Sequence, residues 1–488
     1  MKGKIFIRTF LVVGSFLLFA WIQFSGPYLA GEDPYYHVAM ASLYSKEGLI
    51  SSFPWTQVSI QKEGVNDRHF LYHILMIPFL WKNPIQGGKA YCVLNATVCI
   101  AVFVFVLESF AVRHPWFWVL VLFSTGSFFW YRFSVVRPQV VAVTFGLLAF
   151  WTICKERSKL VFLVSLLAFL FYSSANLAPF IALTYALAVY LKEKRFCLKP
   201  ALASVLGFVA GVFLHPHFPT IVRTWFIQNF SVLYHSLAST PGLNLGAELA
   251  PPAADTIIKA LPIPLFIILG TTFWALSANT ALSKESLTAF LSTCAFLTLT
   301  CLSKRFIEYA APFSVLLASL SYRDTQPSLA KSFPKLLGPL SLAFVLVTGA
   351  ASAKALWQTR EVIANVGSPR LKTASHWLLS NAKKGEIVFT CDWDDFPQLF
   401  FFNRQNYYLV GLDPTFFYAY DREKFRIWNQ IRSGAQKSIS RVIMRKFNAK
   451  YFLATPEFKA AIANARQDPG LELVYSDSAC VIFKVRGS

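Results

Sequence analysis

Long apolar runs, separated by short polar stretches, fill the first 357 residues of the chain. Reading runs of roughly 15 to 25 residues as membrane-spanning helices predicts spans near residues 8–25, 89–112, 115–131, 138–154, 159–175, 178–191, 200–214, 261–279, 286–303, 305–322 and 334–356. That makes about eleven transmembrane helices. One further apolar run, His69 to Trp81, is roughly thirteen residues long, too short to cross a bilayer comfortably.

After Trp357 the pattern changes. Strand-like runs at 386–391, 407–412, 450–453, 471–475 and 480–485 alternate with helical patterns at 371–381, 395–402, 416–431, 438–447 and 456–466. The expected architecture is a multi-pass α-helical membrane domain over 1–357 and a small C-terminal α/β domain over 358–488.

Composition narrows the class. With 55% hydrophobic residues and only 15% charged, at a mean hydropathy of +0.48, the first region cannot be a soluble globular domain. The net charge of +21 would point to nucleic acid in a soluble protein. Here the basic residues cluster in short loops between apolar runs, where they set membrane orientation, so no nucleic-acid partner is expected.

Those loops also decide the topology. Lys2, Lys4 and Arg8 precede the first apolar run, which is expected to be a retained helix with a cytoplasmic N-terminus. Placing His69–Trp81 in the outer interface puts Arg113, the Lys155 and Lys192 clusters, Lys284, Arg323, Lys331 and Lys335 all inside. The outer face then receives the first loop 25–89, residues 132–139, the long loop 215–261, the turn 304–308 and everything after 357. In the interfacial segment, Phe70, Leu71, Ile74, Leu75 and Phe79 are expected to face the membrane, with Arg68, His69, His73 and Lys82 at the headgroups.

The candidate chemistry lies on that outer face. Glu32-Asp33 opens an amphipathic segment, Pro34 through Tyr44, expected to be a helix lying on the membrane. Adjacent carboxylates beside lipid are costly unless they serve a partner. A helix N-terminus keeps Asp33 ionised, ready to accept a proton or a divalent cation. Arg68 on the first loop, Arg137 on the next outer turn, and Lys304 with Arg305 on a later one are cations where orientation rules do not ask for them, and such groups can clamp a phosphate. Asn66 and Asp67 fit a helix cap or a second acid. His215-Pro216-His217 fits a cap, a cleft lining or half of a metal site. Cys391 and Cys480, both in strand-like runs on the outer side, leave a disulfide open.

Taken together, the inside N-terminus, the first outer loop opening on Glu32-Asp33, the interfacial helices, the many spans and the outward soluble domain resemble the GT-C superfamily of integral membrane glycosyltransferases. Glu32-Asp33-Pro34-Tyr35-Tyr36-His37 looks like the first loop of oligosaccharyltransferase catalytic subunits, and the arrangement is also similar to that of protein mannosyltransferases. Val388 to Asp395 occupies the place of their tryptophan-aspartate acceptor motif. The resemblance implies a sugar donor on a polyprenyl phosphate or diphosphate, inversion at the anomeric centre, and a glycan, lipid or protein acceptor. It implies Asp33 as base, with Glu32 as its partner or as a ligand, together with Asp33, to a divalent cation such as Mg or Mn. Arg305, Arg68, Lys304 and Arg137 are then the donor-phosphate candidates, and Tyr36, His37, Trp393 and Asp394 the acceptor-side ones. A bacterial inner membrane with a periplasmic C-terminal domain is the implied setting.

Rival readings are a lipid or small-molecule transporter or flippase, and a non-catalytic assembly subunit. A transporter usually places ionisable or helix-breaking positions at mid-membrane and shows internal repeats. In this chain the charges gather at the outer surface.

Overall fold

The computed structural model describes residues 2–173, 176–238, 240–333 and 337–487. Lys335, and residues 174–175 at the end of the predicted span 159–175, lie outside the described residues. The helical part runs α1 (Lys2–Gln23), α2 (Asp33–Glu47), α3 (Phe70–Met76), α4 (Pro84–Ser109), α5 (Pro115–Phe123), α6 (Ser127–Phe133), α7 (Gln139–Cys154), α8 (Ser158–Phe171), α9 (Ala178–Glu193) and α10 (Lys199–Leu214). It continues through α11 (Thr220–Phe226), α12 (Val232–Leu237), α13 (Ala254–Ala260), α14 (Pro262–Ser277), α15 (Lys284–Leu302), α16 (Ile307–Ser332) and α17 (Leu337–Ala364). Among the described residues, three helices are long and apolar enough to cross a membrane, Ile5–Gln23, Pro84–Ser109 and Lys284–Leu302, while several of the others are apolar but shorter. The chain is built as an integral membrane protein.

One expected span is broken. The run 115–131 divides into α5 and α6 at Ser124–Gly126, where the Ser124 and Thr125 hydroxyls donate to the Val121 and Leu122 carbonyls, each at 2.7 Å. Gly126 then gives its N–H to the Ala260 carbonyl at 2.8 Å. A side chain there would stand 3.0 Å from the Ala260 Cα.

The C-terminal region forms a five-stranded sheet of β1 (Ile387–Thr390), β2 (Tyr407–Tyr408), β3 (Ala449–Ala454), β4 (Leu471–Ser476) and β5 (Val481–Val485), in the order β2-β1-β3-β5-β4. β1 is parallel to β2 and β3, whereas β5 is antiparallel to β3 and β4. Its helices are α18 (Lys372–Asn381), α19 (Phe396–Phe402), α20 (Pro414–Tyr420), α21 (Arg422–Arg432), α22 (Ile439–Phe447) and α23 (Lys459–Gln467). The helical pattern 416–431 is cut at Asp421, whose carboxylate accepts from Lys424 N–H at 2.9 Å and starts a new helix. Cys391 and Cys480 are both buried free thiols, so no disulfide joins them.

The first loop is embedded in this layer. The Tyr408 N–H bonds to the Trp55 carbonyl at 2.9 Å and the Val58 N–H to the Leu409 carbonyl at 2.8 Å, extending the β2 edge with loop residues. One apolar core joins Tyr36, Met40, Leu43 and Tyr44 of α2 to Leu371, Phe396, Phe400 and Tyr408. Consequently α2 does not lie on the membrane as expected; Pro34 through Ala41 is buried between the C-terminal layer and the helical part. The placement of α3 is also corrected. His69 and His73 are buried within the protein rather than at headgroups, while Leu75 keeps the exposed face.

Candidate active site

Gly31, at φ +86°, turns the chain into α2 with Glu32 at its N-cap position and Asp33 and Pro34 in its first turn. Proline suits that turn because its missing N–H would have no helical partner there. A cavity of about 360 Å³ opens at this helix end. Glu32, Asp33, Tyr36 and His37 of α2 line it beside Arg68, Arg137, Arg305, Trp393 and Asp394. Asn66, Asp67, His215 and His217 lie outside its lining, and of the acid, donor-phosphate and acceptor-side candidates Lys304 alone does not line it. Its neighbour Arg305 faces the cavity, and in a 3₁₀ turn adjacent side chains diverge by about 120°. The Lys304 N–H instead bonds the Ala250 carbonyl at 3.1 Å.

The cations differ in how they are engaged. Arg137 reaches Asp33 Oδ2 at 2.9 Å and Glu248 Oε2 at 3.2 Å. Burial opposes its charge, but Glu248 and Asp33 outweigh that and hold the guanidinium above its ordinary pKa. Arg132 is bound to Glu308 at 2.6 Å and to Glu248 at 3.1 Å. Arg68 donates to Gln228, which in turn donates to Asp413. Arg305 donates to the Tyr172 hydroxyl at 3.0 Å, and among the described residues no carboxylate lies within ion-pair distance of it.

Glu248 was not anticipated, although an acid in the long loop 215–261 was the available signal. The Arg305 N–H binds its carbonyl at 3.3 Å, tying that loop to the turn before α16. Burial works against the Glu248 charge, yet Arg137, Arg305 and Arg132 hold its carboxyl below the ordinary range. A carboxylate thus sits among the guanidinium groups where a phosphate would be drawn.

The acids have their own partners. Gln398 donates to Glu32, and Arg370 approaches Glu32 at 3.9 Å and Asp395 at 2.7 Å. Burial raises the Glu32 carboxyl above its usual value, with Arg370 and Gln398 pulling the other way. Asp394 is pushed up to about 7 by burial, with the charges of Asp33, Glu32 and Asp392 adding to the effect. These positioning groups, Gln398 and Arg370, were missed because they come from the loop and helix around β1, with no local signal in the chain.

Behind α2, His37, His69 and His73 each bring a ligand atom within 4.8 Å of one another, a grouping that could hold a metal ion. As arranged, His73 spends both ring nitrogens, Nδ1 on Asp67 at 2.6 Å and Nε2 on His37 at 2.8 Å. The Asp67 contact is also the kind that orients a metal-bound imidazole, and the other His73 nitrogen faces into the group. Glu32 and Asp33 are engaged by Gln398 and Arg137 respectively. His215 and His217 are buried beside this group, and His217 Nε2 lies 3.2 Å from the Tyr44 hydroxyl.

No known family profile matches the chain, and no curated protein does. Solved structures do. The oligosaccharyltransferase AglB from Archaeoglobus fulgidus, in complex with an inhibitory peptide and a dolichol-phosphate, matches at TM-score 0.67 and 12% identity over 100% of this chain and 75% of its own. ArnT from Cupriavidus metallidurans bound to undecaprenyl phosphate matches at 0.61 and 12%, over 100% of this chain and 99% of its own. The Archaeoglobus fulgidus oligosaccharyltransferase in complex with Zn and sulfate matches at 0.64 and 13%, over 97% of this chain and 73% of its own. These neighbours are GT-C glycosyltransferases, and the chain has their fold.

Proposed function

We propose that this protein is an inverting membrane glycosyltransferase, taking a sugar or glycan from a polyprenyl-phosphate-linked donor and passing it to an acceptor at the outer face. One observation carries the reading: a single cavity is lined both by the α2 carboxylates and by Arg305, a guanidinium bonded to a tyrosine hydroxyl rather than to an acid. Such a cation attracts an anionic ligand, and phosphate is the anion that leaves in sugar transfer.

The chemistry follows from that pairing. Asp33 takes the proton from the acceptor O–H as its oxygen bonds to the anomeric carbon. The bond from that carbon to the donor phosphate oxygen breaks, and its electron pair leaves with the phosphate, whose growing charge Arg305 and Arg137 stabilise. Glu32, fixed by Gln398 and Arg370, holds the acceptor side with Trp393 and Asp394. A divalent cation, where bound, would be held by His37, His69 and His73 and would add positive charge beside α2; no step is routed through it. Residues 1–357 are assigned to the membrane with a cytoplasmic N-terminus, and 358–488 to the periplasmic or lumenal side. Incubating the purified protein with a radiolabelled polyprenyl-phosphate sugar and native membranes tests the reading; label left wholly on the donor lipid counts against it.

Glu248 gives a second expectation. Its carboxylate competes for Arg137 and Arg132, so Glu248→Gln is expected to tighten undecaprenyl phosphate binding about tenfold, since one charge-assisted contact is worth that order. Binding measured by microscale thermophoresis in detergent checks this, and unchanged or weaker affinity contradicts it.

Asp394 gives a pH dependence. Its carboxyl titrates near ~3.9 in an unfolded chain and at about 7 here, so across that interval the folded protein holds the extra proton. Stability from this group is full below the lower value and falls as pH rises through the upper one. Asp394→Asn should therefore match the wild type in thermal unfolding at pH 4 and exceed it at pH 8, by on the order of 1 kcal/mol. Parallel curves at both pH values would count against the assignment.

A further inference from the structure

His69 and His73 stand four residues apart across the start of α3, a spacing that makes side chains neighbours on one helical face. His37 of α2 meets them there. The three rings converge, with centroids 5.0 Å apart for His37 and His69, 5.1 Å for His37 and His73, and 5.8 Å for His69 and His73. Each offers one nitrogen, and the three nitrogens lie within 4.8 Å of one another. All three residues are buried, His37 at 4%, His69 at 5% and His73 at 0% exposure. Tetrahedral bonds of about 2.0–2.1 Å to zinc set ligand nitrogens roughly 3.4 Å apart. The observed spacing brackets that value, so small ring movements suffice to make a ligand set.

Hydrogen bonding alone does not account for the trio. His37 Nδ1 lies 2.8 Å from His73 Nε2, and His73 Nδ1 lies 2.6 Å from Asp67 Oδ2. His69 Nδ1, by contrast, is buried with no hydrogen-bond partner among the described residues. A buried polar atom left unpaired calls for an explanation, and a bound ion is one. Asp67 fits the same explanation. Its Oδ2 meets His73 Nδ1 and its Oδ1 accepts the His69 N–H at 3.0 Å, so one carboxylate sets two of the three ligands from behind. Among the charges acting on the trio are Asp67, Arg68 and Arg137. Asp67 touches it, whereas Arg137 is already paired with Asp33 and Glu248.

We propose that His37, His69 and His73 form a site for a nitrogen-seeking divalent ion of the zinc class, with Asp67 as its positioning residue, separate from the Glu32–Asp33 carboxylates. Imidazole suits zinc and the neighbouring late first-row ions, whereas magnesium and manganese are taken by oxygen ligands. Three protein nitrogens leave one tetrahedral position open. His37 and His69 also line the α2 cavity, so that position is on the cavity side. The inference goes beyond the transfer reading and does not need it.

The test is a pair of measurements on full-length protein in nanodiscs, stripped with a chelator. Calorimetric titration with zinc chloride and with magnesium chloride should show one zinc bound per chain, about 100-fold or more tighter than magnesium. X-ray absorption at the zinc edge should show a nitrogen and oxygen shell at about 2.0 Å with the outer scattering of imidazole rings. Asp67→Asn keeps all three ligands and should weaken zinc binding by about 10–100-fold. His69→Ala and His73→Ala should abolish tight binding, and Glu32→Gln should leave zinc affinity unchanged.

Zinc bound no more tightly than magnesium overturns the proposal, as does an absorption spectrum without imidazole scattering. Zinc affinity that falls in Glu32→Gln and holds in Asp67→Asn overturns it too. If the histidine and Asp67 variants do not fold, the wild-type titration and spectrum decide. None of these readouts uses sugar transfer. A protein that holds zinc on histidine and moves no sugar would lose only the transfer reading, and one that moves sugar without binding zinc would lose only this inference.

Discussion

Asp33→Asn is expected to lower sugar transfer by roughly 10³-fold, about 4 kcal/mol of transition-state stabilisation, while the protein still binds undecaprenyl phosphate. The asparagine keeps the shape and remains a tolerable first residue for α2, but it cannot take the acceptor proton. The Arg137 guanidinium would lose one carboxylate at 2.9 Å and keep the other, Glu248, at 3.2 Å, so the site should not collapse. Arg137 would then be less neutralised, and donor phosphate affinity should hold or rise. The checking measurement is a paired assay of label transfer and lipid binding on one preparation. Transfer lost together with binding would mean a structural role, and transfer retained would remove Asp33 as base.

Arg305→Ala carries the second large effect. Removing one preorganised donor aimed at developing negative charge typically costs 10²–10³ in rate, about 3–4 kcal/mol. Here the loss should appear in both donor binding and turnover, because the same guanidinium meets the phosphate before and after the sugar departs. The variant is expected to fold: Arg305 has the Tyr172 hydroxyl as its hydrogen-bond partner, so its loss strands no buried charge. Arg137 is a poorer choice, since its removal would leave Asp33 and Glu248 without their shared counter-ion. Arg305→Lys should recover part of the affinity, because an ammonium supplies charge without the planar fork. Steady-state kinetics against donor concentration check the pattern, and a wild-type donor KM in Arg305→Ala contradicts it.

Much of this site was legible because it breaks ordinary rules. Two adjacent acids before a proline, and arginines on turns between apolar helices, are expensive where they stand, and expense marks Asp33, Arg137 and Arg305. The five strands were legible for a different reason, since short apolar runs between helical patterns have few other uses in an α/β layer.

What was not legible depended on packing between distant segments. The seven-residue α3 offers fewer than two full helical turns, too little to decide which face is buried. α2 packs against its His73 side, so the histidines went inside rather than to headgroups. The break at Gly126 is set by the approach of Ala260 from far along the chain, and an apolar window cannot register it. Glu248 reached the cavity because its loop is pinned to the turn before α16. That pairing is between backbone groups, so nothing in the residue types announces it.

The central claim is that donor phosphate binds in the α2 cavity at Arg305. A cryo-electron-microscopy structure of the full chain in nanodiscs with undecaprenyl phosphate tests it most directly. The account predicts the phosphate against Arg305, with the Glu248 carboxylate moved away from Arg137. A headgroup seated elsewhere, with the Glu248–Arg137 contact intact, would contradict it.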